Sequence, residues 1–251
     1  PDNQARLAEI IPTIELSDKA TVFPASGSKV DFKDGTVVFT VTAEDGTTTT
    51  DYNVVAKSAK KDSYGFEEWT ETGAGKAKRF DPDGWATCNP AVALIKTLFS
   101  TLYSGDFPIL RSEDSHSGKY ALEMTTLDTK GNAVVPKVTS ATAFLGNFNA
   151  GKGLTKPLET TEFGVKFEEK PLRVKAFYKY KAGLVYYDKT TIIPDAKDLM
   201  SASVVLYEVE NDSETLYGNN IDDPDNEKIV ARADYSSNVE IVDYTQIELT
   251  L

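Results

Sequence analysis

The chain is short of the residues on which thiol and metal chemistry depend. Its 251 residues include one cysteine, Cys88, and one histidine, His116. A lone cysteine excludes an intrachain disulfide framework and a thiolate metal cluster. A lone histidine excludes His-rich zinc sites. The one remaining thiol-catalysis pair would join Cys88 to His116, and each has a simpler reading. Cys88 reads as a small buried hydrophobe, and His116 as a polar turn residue flanked by Ser115, Ser117 and Gly118. No apolar run approaches the ~18 residues that a membrane-spanning helix needs. Positive charge is scarce as well: 27 Lys and Arg face 39 Asp and Glu, for a net charge of −12. That balance argues against a nucleic-acid partner, because phosphate recognition needs clustered cations. There is no Gly-x-Ser-x-Gly elbow, and no glycine-rich loop sits between a strand and a helix as a nucleotide cradle would require.

What is present is an ordinary globular composition, 40% apolar and 26% charged, with length enough for one or two domains. The first unit is expected at residues 1–58. Ile10–Leu16 reads as an opening strand with Pro12 placing it at an edge. Thr36–Ala43 alternates, with Val37, Phe39, Val41 and Ala43 on one face, and Glu44-Asp-Gly46 supplies a hairpin turn. Thr47–Lys57 returns with Tyr52, Val54 and Ala56 on one face. A polar linker, Ser58–Ser63, then leads to a second unit at residues 64–251.

That second unit reads as strands separated by polar turns, beginning with a strand-like Tyr64–Trp69. One helix is predicted over Pro90–Tyr103, capped by Asn89, with Pro90 at its first position and an apolar stripe of Val92, Ile95, Leu98, Phe99 and Leu102. Further strands are expected at Lys119–Thr126, Arg173–Tyr180, Ser203–Val209, Lys228–Ala233 and Val239–Leu251. Gly146–Gly153 reads as a turn-prone loop, and Asn211–Asn226 as a long acidic loop with no core signal. The fold class is therefore mainly β, with one covering helix.

Several phrases in fixed order carry a resemblance: Gly65-Phe-Glu-Glu-Trp69, Gly84-Trp-Ala-Thr-Cys-Asn-Pro90, Ser117-Gly-Lys-Tyr-Ala-Leu122, Phe163-Gly-Val-Lys-Phe167 and Pro171–Tyr180. Together they resemble the putative carbohydrate metabolism domain family, found among surface lipoproteins of gut bacteria of the Bacteroides type. The resemblance implies a jelly-roll β-sandwich of the galactose-binding type, preceded by a small immunoglobulin-like β-sandwich. It implies an exported or outer-surface protein that meets a polysaccharide or oligosaccharide, lipid-anchored through a removed N-terminal segment. The opening Pro1-Asp2-Asn3, without Met, fits such removal. The family is expected to carry a further closing strand past Leu251, so the C-terminus reads as truncated. Such sandwiches also leave room for a structural calcium ion. The run Asp222, Asp223, Asp225 and Glu227 is not its obvious seat, since it lacks EF-hand spacing and reads better as a solvated loop.

A sugar site wants an aromatic platform flanked by amide, carboxylate or guanidinium groups. The candidate ligand-binding residues are Trp85 and Asp83 near the turn at Gly84, Asn147 on the glycine-rich loop, and Tyr186, Tyr187 and Asp188 after the turn at Gly183. No catalytic residue is assigned, and the oligomeric state is not legible. The function expected is non-catalytic glycan binding. The alternatives are a glycoside hydrolase using a carboxylate pair among the 39 acidic residues, and a purely structural or adhesive surface module.

Overall fold

The computed structural model describes residues 7–56, 63–168, 170–211 and 213–251, and it divides into two compact units, Pro1–Tyr64 and Gly65–Leu251. The architecture is mainly β, of the β-sandwich class. Residues 58–62, within the expected linker, lie outside the described residues.

The first unit holds a three-stranded antiparallel sheet of β1 (Thr21–Phe23), β2 (Thr36–Thr42) and β3 (Thr49–Val55), with β2 central. Alternation along β2 works as read: Phe39 is buried, Val37 and Val41 are half-buried, and Thr36 and Val38 face out. Phe39 meets Phe32 at 6.3 Å between ring centroids. Val30, Phe32 and Phe39 form the centre of a small core that also takes in Ile10, Val22 and Ala56. The turn is fixed by Asp45, whose carboxylate accepts the Thr47 and Thr48 amides at 2.9 and 2.8 Å and the Thr48 hydroxyl at 2.6 Å. Gly46 takes the left-handed φ of +68° that this turn requires.

The predicted opening strand Ile10–Leu16 does not form. Only Ile10 pairs, with Val30. Pro12 cannot donate to a ladder. Its carbonyl instead accepts from Gly27, and the Ile14 amide goes to the Ser26 hydroxyl, so the segment is tied to a turn rather than to a sheet.

The second unit begins with the hairpin β4 (Trp69–Thr72) and β5 (Arg79–Pro82), then β6 (Ala86–Thr87) and the helix α1 (Asn89–Leu98). Strand β4 starts only at Trp69, not at Tyr64. Upstream, the indole of Trp69 donates to Phe66 O, and the Glu67 carboxylate accepts the Lys119 amide at 2.9 Å. The next pairs are β7 (Ile109–Ser112) with β8 (Ala121–Met124), and β9 (Leu127–Asp128) with β10 (Val138–Thr139). Strand β11 (Ala143–Phe144) returns to β6. Then come β12 (Gly146–Phe148), β13 (Thr161–Phe163), β14 (Arg173–Tyr180), β15 (Tyr187–Asp188), β16 (Thr191–Ile192), β17 (Met200–Tyr207), β18 (Leu216–Tyr217), β19 (Ile229–Ser237) and β20 (Ile241–Thr250). Two long antiparallel ribbons result, β14 with β20 and β17 with β19. Every described pairing is antiparallel.

Helix α1 buries Val92 and Ala93 against Phe107 and Leu127. A fully buried side chain of this kind contributes roughly 1.5–3 kcal/mol. The helix stops at Leu98, a turn and a half before the expected Tyr103. Phe99 leaves the helical backbone region, with φ of −127° and ψ of 41°, and the Thr97 hydroxyl back-bonds to Ala93 O, which weakens a helix interior. The cap also differs from expectation. Cys88 is the N-cap and makes no side-chain cap bond, whereas Asn89 is the first helical residue and Pro90 the second. Asn89 is wholly buried because its amide is used elsewhere. It accepts the Ile109 amide, donates to the Ile109 carbonyl and donates to Asp81, each at 3.1 Å.

Two loop readings are also corrected. Gly146–Phe148 is strand β12, and the chain turns only beyond it, first as the 3-10 segment Ala150–Lys152. The acidic stretch 211–226 contains β18, whose Leu216 is 2% exposed and pairs with Phe163. One apolar residue among acids was enough to seat it.

Candidate functional site

Strands β12, β13 and β18 form a three-stranded sheet with β13 in the middle. Register places Asn147 opposite Glu162, and Glu162 opposite Tyr217. Residues directly opposite in a ladder share a face, so an amide, a carboxylate and a phenol stand in one row. Two glycines make this geometry possible. At Gly146, with φ of +144°, a Cβ would come within 2.1 Å of Glu162 O. At Gly164, with φ of +106°, it would come within 2.1 Å of the Tyr207 hydroxyl. That hydroxyl donates to Phe163 O, which also accepts from the Thr215 hydroxyl at 2.6 Å, so the end of β13 is pinned from two directions.

The row lines an open cleft of about 440 Å³, with Ser213, Glu214 and Thr215 along the other wall. That size lies within the range of small-ligand sites. Glu162 is the hub. It accepts from Asn147 Nδ2 at 2.6 Å, Lys152 Nζ at 2.9 Å and Asn149 Nδ2 at 3.3 Å. Those bonds, Asn147 first and Lys152 next, hold its carboxyl below the usual range. The same contact with Glu162 raises the Lys152 ammonium. Lys152 also stands 4.8 Å above the Tyr217 ring. On the opposite wall Glu214 pairs with Lys228, which likewise depresses its carboxyl. Both acids in the cleft are thus held ionised. The arrangement can accept and donate hydrogen bonds to a hydroxyl-rich ligand beside an aromatic ring. Among its described residues, the two acids, Glu162 and Glu214, are both shifted downward, opposite to the shift a glycosidic general acid needs.

Of the six residues singled out from the sequence, Asn147 lines this cleft. Trp85 follows the turn after β5, half-buried, with its ring 5.1 Å from that of Phe66. Asp83 is exposed in that turn, its amide bonded to Glu68 O at 2.9 Å. Tyr186 is 38% exposed, and Tyr187 begins the short strand β15, with Lys137 4.9 Å above its ring. Asp188 is exposed and pairs in register with Thr191. Among the described residues, no group of three or more His, Cys, Asp or Glu could hold a metal ion. Cys88 is buried, and that burial pushes its thiol up, away from the reactive thiolate.

Sequence reading missed Glu162, Lys152 and Tyr217. The only local signal was an acid inside the short strand Thr161–Phe163; Tyr217 joins through a pairing 55 residues away, which no period shows. It also missed an aromatic cluster on the β14–β20 ribbon. There His116 stacks on Phe177 at 3.6 Å and meets the edge of Tyr244 at 5.8 Å, and Lys179 pairs with Asp114 at 2.7 Å.

The family model described as putative carbohydrate metabolism domain matches residues 35–251, and one described as SGBP, N-terminal, matches residues 2–56. No curated protein matches the chain. Solved structures are similar to the chain, among them the following two. A putative glycoside hydrolase from Bacteroides thetaiotaomicron VPI-5482 is 25% identical with a TM-score of 0.62, over 97% of this chain and 72% of that one. A putative glycoside hydrolase from Bacteroides vulgatus ATCC 8482 is 26% identical with a TM-score of 0.64, over 74% of this chain and 76% of that one.

Proposed function

The chain belongs to the putative carbohydrate metabolism domain family, and from that premise we propose that it is a cell-surface glycan-binding protein that holds sugar without cleaving it. The observation that carries this reading is the row Asn147–Glu162–Tyr217 lining an open cleft, with Lys152 bonded to Glu162 behind it. A sugar ring offers a C–H face and a rim of hydroxyls. The Tyr217 ring suits the first. The Asn147 amide and the Glu162 carboxylate, held ionised by Lys152, suit the second, with charge-assisted hydrogen bonds at the carboxylate. The match of the first unit to the SGBP, N-terminal, description supports a place at the cell surface. Anchoring by a lipid belongs to the same proposal.

The similar Bacteroides structures favour hydrolysis as a second reading, since both are described as glycoside hydrolases. The cleft does contain two carboxyl groups, Glu162 and Glu214. Both are shifted in the direction opposite to that required of the proton donor. Binding is the better reading of this cleft.

Affinity electrophoresis of the chain in gels containing neutral plant and host polysaccharides tests the proposal. At least one polysaccharide should retard the protein, and Tyr217→Ala should abolish the retardation. Retardation that persists in Tyr217→Ala, or no retardation by any polysaccharide, overturns it. Sugar release that is lost in Glu162→Gln and Glu214→Gln would establish the hydrolytic reading.

A further inference from the structure

A second hollow in the same unit has the opposite charge to the chain as a whole. It lies between the 3-10 turn Gly75–Ala77 and the C-terminal end of α1, with a volume of about 280 Å³. Its described lining is Gly75, Lys76, Lys78, Lys96 and Ser104, so three lysines and no acidic residue line it. In a chain of net charge −12, such a gathering of cations needs a reason.

The three lysines are not equivalent. Lys96 is held in place: its ammonium donates to Gly105 O at 2.7 Å and sits 4.1 Å above the Phe107 ring. An ammonium has three donors, so two are not used by that bond. Lys78 pairs with Glu71 at 3.0 Å, outside the lining, which steadies it and leaves further donors. Lys76 stands exposed at the end of the turn. The turn is itself anchored, because Ala77 packs on the core under α1. A Cβ at Gly75 would meet nothing within 4 Å, so the backbone lies open to an approaching group. The Ser104 hydroxyl completes the set.

We propose that this hollow binds an oxyanion carried on a sugar ring, the carboxylate of a uronic acid or a sulfate ester. Two or three ammonium groups and a hydroxyl match the several acceptor oxygens of such an anion. The volume falls just below the ~300 Å³ at which drug-sized sites begin, which suits one monosaccharide. The sugar half of the proposal rests on the glycan reading above; the anion half does not.

Calorimetric titration of the full chain tests it, using an oligogalacturonate, its neutral methyl ester, a sulfated galactan oligosaccharide and inorganic sulfate. At least one acidic oligosaccharide should bind, and its affinity should fall about tenfold in Lys76→Glu, the scale of one charge-assisted bond. Lys76→Gln should give a smaller loss in the same direction. Binding to the oligogalacturonate alone identifies a carboxylate, binding to the sulfated galactan alone a sulfate ester, and binding to both the shared chemistry. Because Lys76 is exposed, both variants should keep the wild-type circular dichroism spectrum. The proposal is overturned if neither acidic oligosaccharide binds, if Lys76→Glu leaves affinity unchanged, or if the methyl ester or inorganic sulfate binds as tightly as the acid. Failure here is separable from failure at the cleft. Neutral glycans should respond to Tyr217→Ala and not to Lys76→Glu, and acidic ones should respond to Lys76→Glu.

Discussion

Two clusters in the second unit are built from the same three parts: a cation, a carboxylate and an asparagine. Arg79, Asp81 and Asn89 form one; Lys152, Glu162 and Asn147 form the other. They differ in where their bonding capacity goes. In the first, Asn89 is wholly buried, and its amide serves the backbone of Ile109 on both sides. Asp81 is engaged by Asn89, by the Thr72 hydroxyl at 2.6 Å and by Arg79 Nε at 2.8 Å, a contact that is ionic because the N–H is turned off the oxygen. None of the three lines either hollow described above, so what capacity is unspent faces no ligand there. In the second, Asn147 is exposed, and Glu162 opens onto a cleft beside an aromatic ring. A carboxylate offers about four acceptor positions, and Glu162 uses three on protein donors. One remains. Composition alone therefore does not separate scaffold from site; the direction of the unspent hydrogen bonds does.

The contrast can be broken most forcefully at Asn89. Asn89→Ala removes three hydrogen bonds and strands the Ile109 backbone groups in a dry environment, which should cost about 3 kcal/mol or more. In thermal denaturation that is a fall of ~6–12 °C for a domain of this size. Glycan binding at low temperature should survive in the folded fraction. A loss of stability under 1 kcal/mol would mean that the first cluster is not scaffold. Gly164→Ala comes next. It faces both a left-handed φ of +106° and a Tyr207 hydroxyl 2.1 Å from the new Cβ, for an expected ~2 kcal/mol. Here binding should suffer too, because the end of β13 carries Glu162. Chemical denaturation and affinity electrophoresis on the same variant show whether the two losses travel together.

Glu162→Gln sharpens the comparison from the other side. The side chain of Glu162 is 22% exposed and that of Lys152 is 28% exposed, so the pair is partly screened, and its loss should cost about 1 kcal/mol or less. Neutral-glycan affinity should nevertheless drop about tenfold, since a charged acceptor facing the ligand is gone. Stability lost without any change in affinity would make the second cluster a copy of the first.

How much of this was legible in the sequence depends on the range of the interaction. The β2–β3 hairpin could be read because alternation and an Asp-Gly turn are local, and the strand Arg173–Tyr180 was read to its observed ends for the same reason. Asn89 was misread because a cap and a buried bridge use the same side chain, and only the position of Ile109, twenty residues on, decides between them. Asn147 was noticed as a polar group, yet the loop assigned to it is a strand, because Glu162 and Phe163 supply its ladder partners. Tyr217 was invisible for a related reason. Polar and acidic neighbours hid Leu216, the buried residue that fixes its strand.

The smallest effect is expected at a carboxylate whose bonds all come from its own turn. Asp45 accepts from Thr47 and Thr48 within three residues and is open to water, which places it outside both clusters compared above. Those bonds, the Thr48 hydroxyl first, lower its carboxyl to about 2. The sign follows from that direction. A depressed folded value means that the turn gains stability above the ordinary aspartate range near ~3.9 and loses it as pH falls through about 2. Titration of the Asp45 side-chain carbon by NMR should give a midpoint near 2, and Thr48→Val should move it upward by removing the strongest donor while leaving the hairpin paired. A midpoint near 4 in the unaltered chain would show that short-range hydrogen bonds exposed to solvent do not hold an acid ionised here. The same test would then weigh against Glu162, whose depression rests on bonds of the same kind drawn from farther along the chain.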